Sequence, residues 1–164
     1  MELKYLSWEE IRCACKCISS SVLNSDFKPD LLILLSRGGL IPGRLISDYL
    51  NIKKIVVIDT KFYNDNKEPN KILYIDDYDI CKLKQFHNKK ALLIDDIYDT
   101  GTTISQVKKV IKENSDIELK TAVISLKKKA GYEFFNVVDY FYFLSEEGEW
   151  VVYPWEEHEN QGYK

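Results

Sequence analysis

Three aspartates and three threonines crowd one short stretch, Asp95-Asp96-Ile97-Tyr98-Asp99-Thr100-Gly101-Thr102-Thr103. The apolar run Ala91 to Ile94 before it predicts a buried strand, closed by Asp95 and Asp96 at its C-terminal rim. Ile104, Val107, Val110 and Ile111 recur at helical spacing after it and predict a helix over Thr102 to Glu113. The free N–H groups and the dipole of a helix start attract phosphate. Gly101 permits a close backbone approach or a positive φ, and the threonine hydroxyls add donors. Carboxylates beside a phosphate cradle accept hydrogen bonds from sugar hydroxyls and hold Mg²⁺. One ligand type satisfies all of these groups together: a ribose 5-phosphate that carries a pyrophosphate and Mg²⁺. A strand followed by a capped helix, with Asp99 and Thr100 as caps, accounts for one Asp and one Thr and leaves Asp95-Asp96 unexplained. No G-x₄-G-K-[ST] and no GxGxxG occurs in the chain.

A second loop, Ser36-Arg37-Gly38-Gly39, follows the apolar run Leu31 to Leu35. Its glycines suit a close approach of backbone to an anion, and Arg37 offers a forked cation. A third segment, Lys127-Lys128-Lys129-Ala130-Gly131, follows the run Thr121 to Leu126, and Trp150 to Glu156 lies near the end of the chain. Taken alone, the lysines read as a solvated run after a strand, and Trp150 and Trp155 as core or interface packing. Cys13, Cys15 and Cys17 are spaced two apart, with Cys81 distant. Zinc frameworks pair one C-x₂₋₄-C with a second, so these three are read as small buried residues on a helix.

The elements that must position these groups follow from periodicity. Ser7-Trp8-Glu9-Glu10 has the S-x-x-E form of a capping box, and Ile11, Cys15, Ile18 and Val22 predict a helix to about Asn24. Leu40 to Leu50 predicts a second helix, with Pro42 in its first turn. Lys54 to Asp59, Ile72 to Ile75 and Val137 to Leu144 predict further strands, and Asn64 to Asn70 a loop. Apolar strands alternating with helices imply an α/β fold: a twisted, mainly parallel sheet flanked by helices on both faces, in one domain over 1–164. Ligands of such sheets bind at the C-terminal ends of the strands, where the Arg37 and Gly101 loops fall. With 45% apolar and 30% charged residues and a net charge of −3, the chain reads as globular, with no basic field for nucleic acid. No apolar run reaches membrane-span length, and Met1 to Glu10 has no signal-peptide core, so a cytoplasmic location is expected.

Ala91 to Thr103 closely resembles the motif by which type I phosphoribosyltransferases bind 5-phosphoribosyl pyrophosphate (PRPP): an apolar strand, two acids, two variable residues, then D-T-G-x-T. The resemblance implies that Asp95 and Asp96 bind the ribose hydroxyls and help hold Mg²⁺. It also implies that Thr100, Gly101, Thr102 and Thr103 hold the 5′-phosphate and that Asp99 acts on the N7 proton of a purine. Arg37 and Gly38 correspond to the pyrophosphate loop. The ending Trp150-Val151-Val152-Tyr153-Pro154-Trp155-Glu156 resembles the base-binding hood of bacterial and archaeal guanine–xanthine–hypoxanthine enzymes, here about 127–164. By that resemblance Trp150 stacks on the base, the Val151 backbone meets its edge, and Lys128, with Lys127 and Lys129 as rivals, contacts the 6-oxo group. The region Asp59 to Asp79 matches the family's catalytic flap but contains no Arg; Lys61 is the best candidate for pyrophosphate there, ahead of Lys67 and Lys71. His87 and His158 match no family site. The resemblance implies a homodimer acting on PRPP and a 6-oxopurine in purine salvage; the charge and the lack of a long apolar run lead one to expect no nucleic-acid or membrane partner. Transfer to another base such as adenine, or a non-catalytic protein binding PRPP or a nucleotide, are the other readings of the same motif.

Overall fold

The computed structural model describes residues 2–63, 72–128 and 137–156, with side chains outside 61–63 and 72–74. Four long apolar strands lie in the middle of the chain: β2 (Leu31–Ser36), β3 (Ile55–Asp59), β6 (Lys90–Tyr98) and β7 (Glu118–Lys127). With β8 (Tyr140–Ser145) they form a five-stranded sheet, ordered β3-β2-β6-β7-β8 and parallel at every pairing. Residues 31–35 and 91–94 are buried throughout, the expected signature of strands covered on both faces.

Helices supply that cover. α1 (Trp8–Leu23) and α2 (Leu40–Leu50) pack on one face, where Ile11, Cys15, Ile18, Val22 and Ile46 meet Leu32, Leu34, Leu92 and Ile94. α3 (Asp77–Leu83) and α4 (Thr102–Asn114) pack on the other, where Leu83, Ile104, Val107 and Ile111 meet Ile33, Leu93 and Val123. The 3.6-residue spacing read from α1 and α4 therefore picks out their buried faces correctly. No helix among the described residues is long and apolar enough to cross a membrane.

The capping box forms as its sequence dictates. Ser7 Oγ accepts from Glu10 N at 3.3 Å, and Glu10 Oε2 accepts from Ser7 N at 2.7 Å. These hydrogen bonds hold the Glu10 carboxyl below its usual value, so their contribution is present above the ordinary carboxylate pKa and is lost as pH falls through the lowered one. Ser7→Ala removes the cap and is expected to cost about 1 kcal/mol, a fall of ~2–4 °C in the thermal unfolding midpoint.

Two smaller sheets complete the fold. β4 (Lys61–Tyr63) and β5 (Ile72–Tyr74) pair antiparallel, and residues 64–71 between them lie outside the described residues. β1 (Glu2–Tyr5) pairs parallel with β9 (Glu149–Val152), so the C-terminal segment expected to form a hood is joined to the N-terminal strand. Several boundaries differ from the sequence reading. β6 does not close at Asp95-Asp96 but runs on to Tyr98, because Asp95, Ile97 and Tyr98 keep register with Val123, Ser125 and Leu126 of β7. β8 starts at Tyr140 rather than Val137. Of the three clustered cysteines on α1 only Cys15 is buried; Cys13 and Cys17, four residues apart, share the exposed face. Burial pushes the Cys15 thiol up to about 12.

Candidate active site

Asp95 and Asp96 are consecutive residues of a central strand, so the sheet itself fixes their backbone. Asp96 is 8% exposed and forms part of the wall of a cavity of about 430 Å³ with Arg37, Gly38, Leu40, Ile41, Trp155 and Glu156. Burial, reinforced by the charge of Glu156, pushes the Asp96 carboxyl up to about 6. Burial and the charge of Asp96 hold Asp95 well above the ordinary carboxylate range. Asp95 Oδ1 accepts from Asp96 N at 3.0 Å. Asp96 on the cavity wall, with Asp95 next to it in the strand, is a hard oxygen donor that suits Mg²⁺, an ion that takes one or two carboxylates and completes its shell with phosphates and water. Among the described residues no group of three or more His, Cys, Asp or Glu forms a closed metal cage. The donor set therefore fits a cation that arrives with a phosphorylated substrate.

The loop Ser36 to Gly39 crosses the end of β2 beside this wall, with a cis peptide between Ser36 and Arg37. Gly38 lies so close to the Asp96 carboxylate that a Cβ there would overlap it. Only a residue without a side chain lets the loop backbone and the acid share this space. Arg37 and Asp96 thus face one cavity.

The threonine turn begins where β6 ends. Gly101 takes φ +75°, and a Cβ on it would strike the Tyr98 ring and hydroxyl. It serves as the N-cap of α4 without a side-chain cap. Thr100 Oγ1 accepts from Thr102 N at 3.3 Å and lies 2.9 Å from Thr102 Oγ1. Thr102 and Thr103 are the first two residues of α4, so hydroxyls and backbone N–H groups converge at one helix start.

Asp99, just beyond β6, is brought to a lysine from the neighbouring strand. That lysine is Lys127: its Nζ lies 3.4 Å from Asp99 Oδ1 and 6.0 Å from the centroid of the Trp150 ring, and its side chain is only 13% exposed. Lys128 does not reach this group. It pairs with Glu146, and its backbone N–H donates to Ser145 O at 2.8 Å. The cause is the alternation of a strand: Lys127 is the last residue of β7, and its neighbour projects the other way. Lys129 falls outside the described residues, and so does the side chain of Lys61, the first residue of β4. His87 is exposed on the surface, 3.6 Å from Asp116, and His158 lies outside the described residues.

Two residues that no sequence pattern singled out join the donor strand to the hood. Tyr153 is buried; its hydroxyl donates to the Asp96 carbonyl at 2.9 Å, and burial together with the nearby acids raises its phenol so that it keeps that proton. The Tyr153 ring stacks on Trp155 at 4.8 Å and 8°, and Trp155 in turn meets Trp8 at 6.0 Å. Glu156 accepts from Tyr153 N at 3.1 Å, which turns its carboxylate toward the Asp96 cavity. The P-W-[ED] ending was the available signal for Glu156.

A sheet of this topology, with acids near the end of its central strand, a glycine loop and a threonine-lined helix start, is the architecture of a phosphoribosyl-transferring domain. The model of the phosphoribosyl transferase domain matches residues 3–161, and the chain belongs to that family. The chain is 27% identical to xanthine phosphoribosyltransferase 1 of Saccharomyces cerevisiae, covering 94% of this chain and 90% of the relative. It is 28% identical to a xanthine-guanine phosphoribosyltransferase of Desulfotalea psychrophila, over 92% of this chain and 84% of the relative. Among solved structures, a purine phosphoribosyltransferase from Pyrococcus horikoshii superimposes with a TM-score of 0.79 at 31% identity, covering 96% of both chains.

Proposed function

We propose that this protein transfers the 5-phosphoribosyl group of PRPP to a 6-oxopurine (guanine, hypoxanthine or xanthine), releasing pyrophosphate, and serves purine salvage. The observation that carries the reading is the junction of the two halves of the site. The strand bearing Asp95 and Asp96 ends at Tyr98, and Asp99, just beyond it, meets Lys127 beside Trp150. The names of the relatives point the same way.

In this reading Asp95 and Asp96 accept hydrogen bonds from the ribose hydroxyls. The 5′-phosphate sits on Thr100 to Thr103 at the start of α4. Arg37 and the Gly38 backbone hold the pyrophosphate, with Lys61 as the flap's contribution. Asp95 and Asp96 would hold Mg²⁺, with Glu156, which shares the Asp96 cavity, as a further ligand. When bound, the cation supplies charge neutralisation for the departing pyrophosphate. The base is stacked on Trp150, its edge meets the Val151 backbone, and Lys127, in place of Lys128, donates to the 6-oxo group. The base nitrogen bonds to the anomeric carbon as the carbon–oxygen bond to pyrophosphate breaks. The electron pair leaves with pyrophosphate, and the N7 proton passes to Asp99. Positioning of the two reactants in line supplies much of the remaining acceleration.

The protein acts in this reading as a cytoplasmic homodimer without nucleic-acid or membrane partners. Support for self-association comes from Ile55 and Val57 on edge strand β3 and from Leu40 and Tyr49 on α2, all more than a third exposed. The test of the activity is direct. Incubated with PRPP, Mg²⁺ and each base in turn, the protein releases pyrophosphate with guanine, hypoxanthine or xanthine and not with adenine. Release with adenine alone assigns a different acceptor, and no release with any base leaves a binding protein.

A further inference from the structure

A parallel strand uses alternate residues to bond each neighbour, so one strand decides which backbone groups of the next remain for a ligand. The contacts at the two ends of the β1–β9 pair fix this parity. Glu2 N donates to Gly148 O at 3.1 Å, and Leu6 N donates to Val152 O at 2.9 Å. The register between them is continuous, Leu3 opposite Trp150 and Lys4 opposite Val151. The donors of β1 are therefore Glu2, Lys4 and Leu6, and the middle bond runs from Lys4 N to Trp150 O. The N–H and C=O of Val151 have the opposite parity and face the other edge of β9, where no described strand pairs.

Side chains follow the same register. Lys4 lies on the side of Glu149, to which it is ion-paired at 3.8 Å, and of Val151, which is buried. Leu3 and Tyr5 lie on the side of Trp150, and all three are about half exposed or more.

We infer that the N-terminal strand β1 is a positioning element for base recognition: its ladder aims the Val151 N–H and C=O at the base and sets the Trp150 ring on the face it shares with Leu3. A slip of one residue would reverse both at once. Trp150 and Val152 would present their backbone groups to the base, and the indole would move to the opposite face. No residue of β1 need touch the substrate. The inference rests on the 6-oxopurine reading of the hood.

Proline scanning tests it, because proline removes one N–H donor and is tolerated in an edge strand where that N–H faces outward. Lys4→Pro deletes the bond to Trp150, whereas Leu3→Pro deletes none of the ladder and Lys4→Ala deletes the ion pair with Glu149 and the contact with the Phe143 ring but keeps the ladder. Lys4→Pro is expected to raise the KM for guanine about tenfold while the KM for PRPP stays within about twofold, and both controls stay near the parent. Equal effects in all three variants, or a parallel rise in the KM for PRPP, would overturn the inference. Residue-resolved amide exchange on the unaltered protein needs no variant to fold. Trp150 and Val152 amides should be protected in the free protein, with the Val151 amide exchanging until GMP is added. A Val151 amide already as protected as its neighbours removes the proposed parity. The exchange pattern of the free protein is independent of turnover, so an inactive protein with the expected pattern would refute the purine reading and leave the ladder intact.

Discussion

Asp99→Asn is expected to retain PRPP binding and to lower turnover with guanine by ~10²–10⁴-fold, the range supplied by a positioned proton acceptor. The substitution keeps the shape of the side chain and a hydrogen-bonding oxygen, so the turn that leads into Gly101 and α4 has no reason to change. It removes the capacity to take a proton and the charge opposite Lys127, 3.4 Å away. The groups assigned to PRPP, namely Asp95, Asp96, the Arg37 loop and the threonine turn, are untouched. Calorimetric titration with PRPP and steady-state turnover separate the two effects. Turnover within about threefold of the parent would remove Asp99 from proton transfer, since even the low end of that range is larger.

Lys127→Ala carries the second largest effect. A charge-assisted hydrogen bond in a partly buried site contributes about 1.5–3 kcal/mol, so the KM for guanine should rise ~10–150-fold, with a much smaller change in the KM for PRPP. Lys128→Ala removes only a surface pair with Glu146 and should leave both constants within about twofold. Steady-state kinetics of the two variants side by side decide between adjacent residues. A loss confined to Lys128→Ala would place the base on the other side of β7. Lys127→Ala also leaves Asp99 without its cationic neighbour, so its effect and that of Asp99→Asn should not add.

The comparison of these lysines shows where reading from sequence stops. Consecutive residues of a strand point to opposite faces, so an alignment error of one position inverts the assignment. The resemblance pointed to Lys128, with Lys127 and Lys129 as rivals; in the structure β7 runs through Lys127, and it is Lys127 that lies beside Asp99 and Trp150. Buried runs were legible because β2, β6 and β7 are covered on both faces and need no alternation to betray them. α1 and α4 were legible from apolar spacing and, for α1, from the Ser7–Glu10 box. β1 was not, because its two large apolar residues, Leu3 and Tyr5, are about half exposed and no buried pattern marks it. α3 was missed for its brevity: seven residues, opened by Asp76 as N-cap in a stretch rich in aspartate. Asp95, Asp96 and the threonine turn stood out in the sequence because they lie within one local stretch. Glu156 and Tyr153 were missed as site groups because their partner, Asp96, lies far from them along the chain.

The bond from the Tyr153 hydroxyl to the Asp96 carbonyl bears on how such a protein can be redesigned. It runs to a main-chain atom, so it does not depend on which side chain occupies position 96 or on which base lies under Trp150. The spacing between the acceptor half and the donor half is thereby set apart from the chemistry of either. In the proposed reading, exchanging Trp150 or Lys127 to admit a different heterocycle keeps this bond, whereas exchanging Tyr153 removes it. A library aimed at new bases should therefore vary the lining of the hood and hold Tyr153 constant.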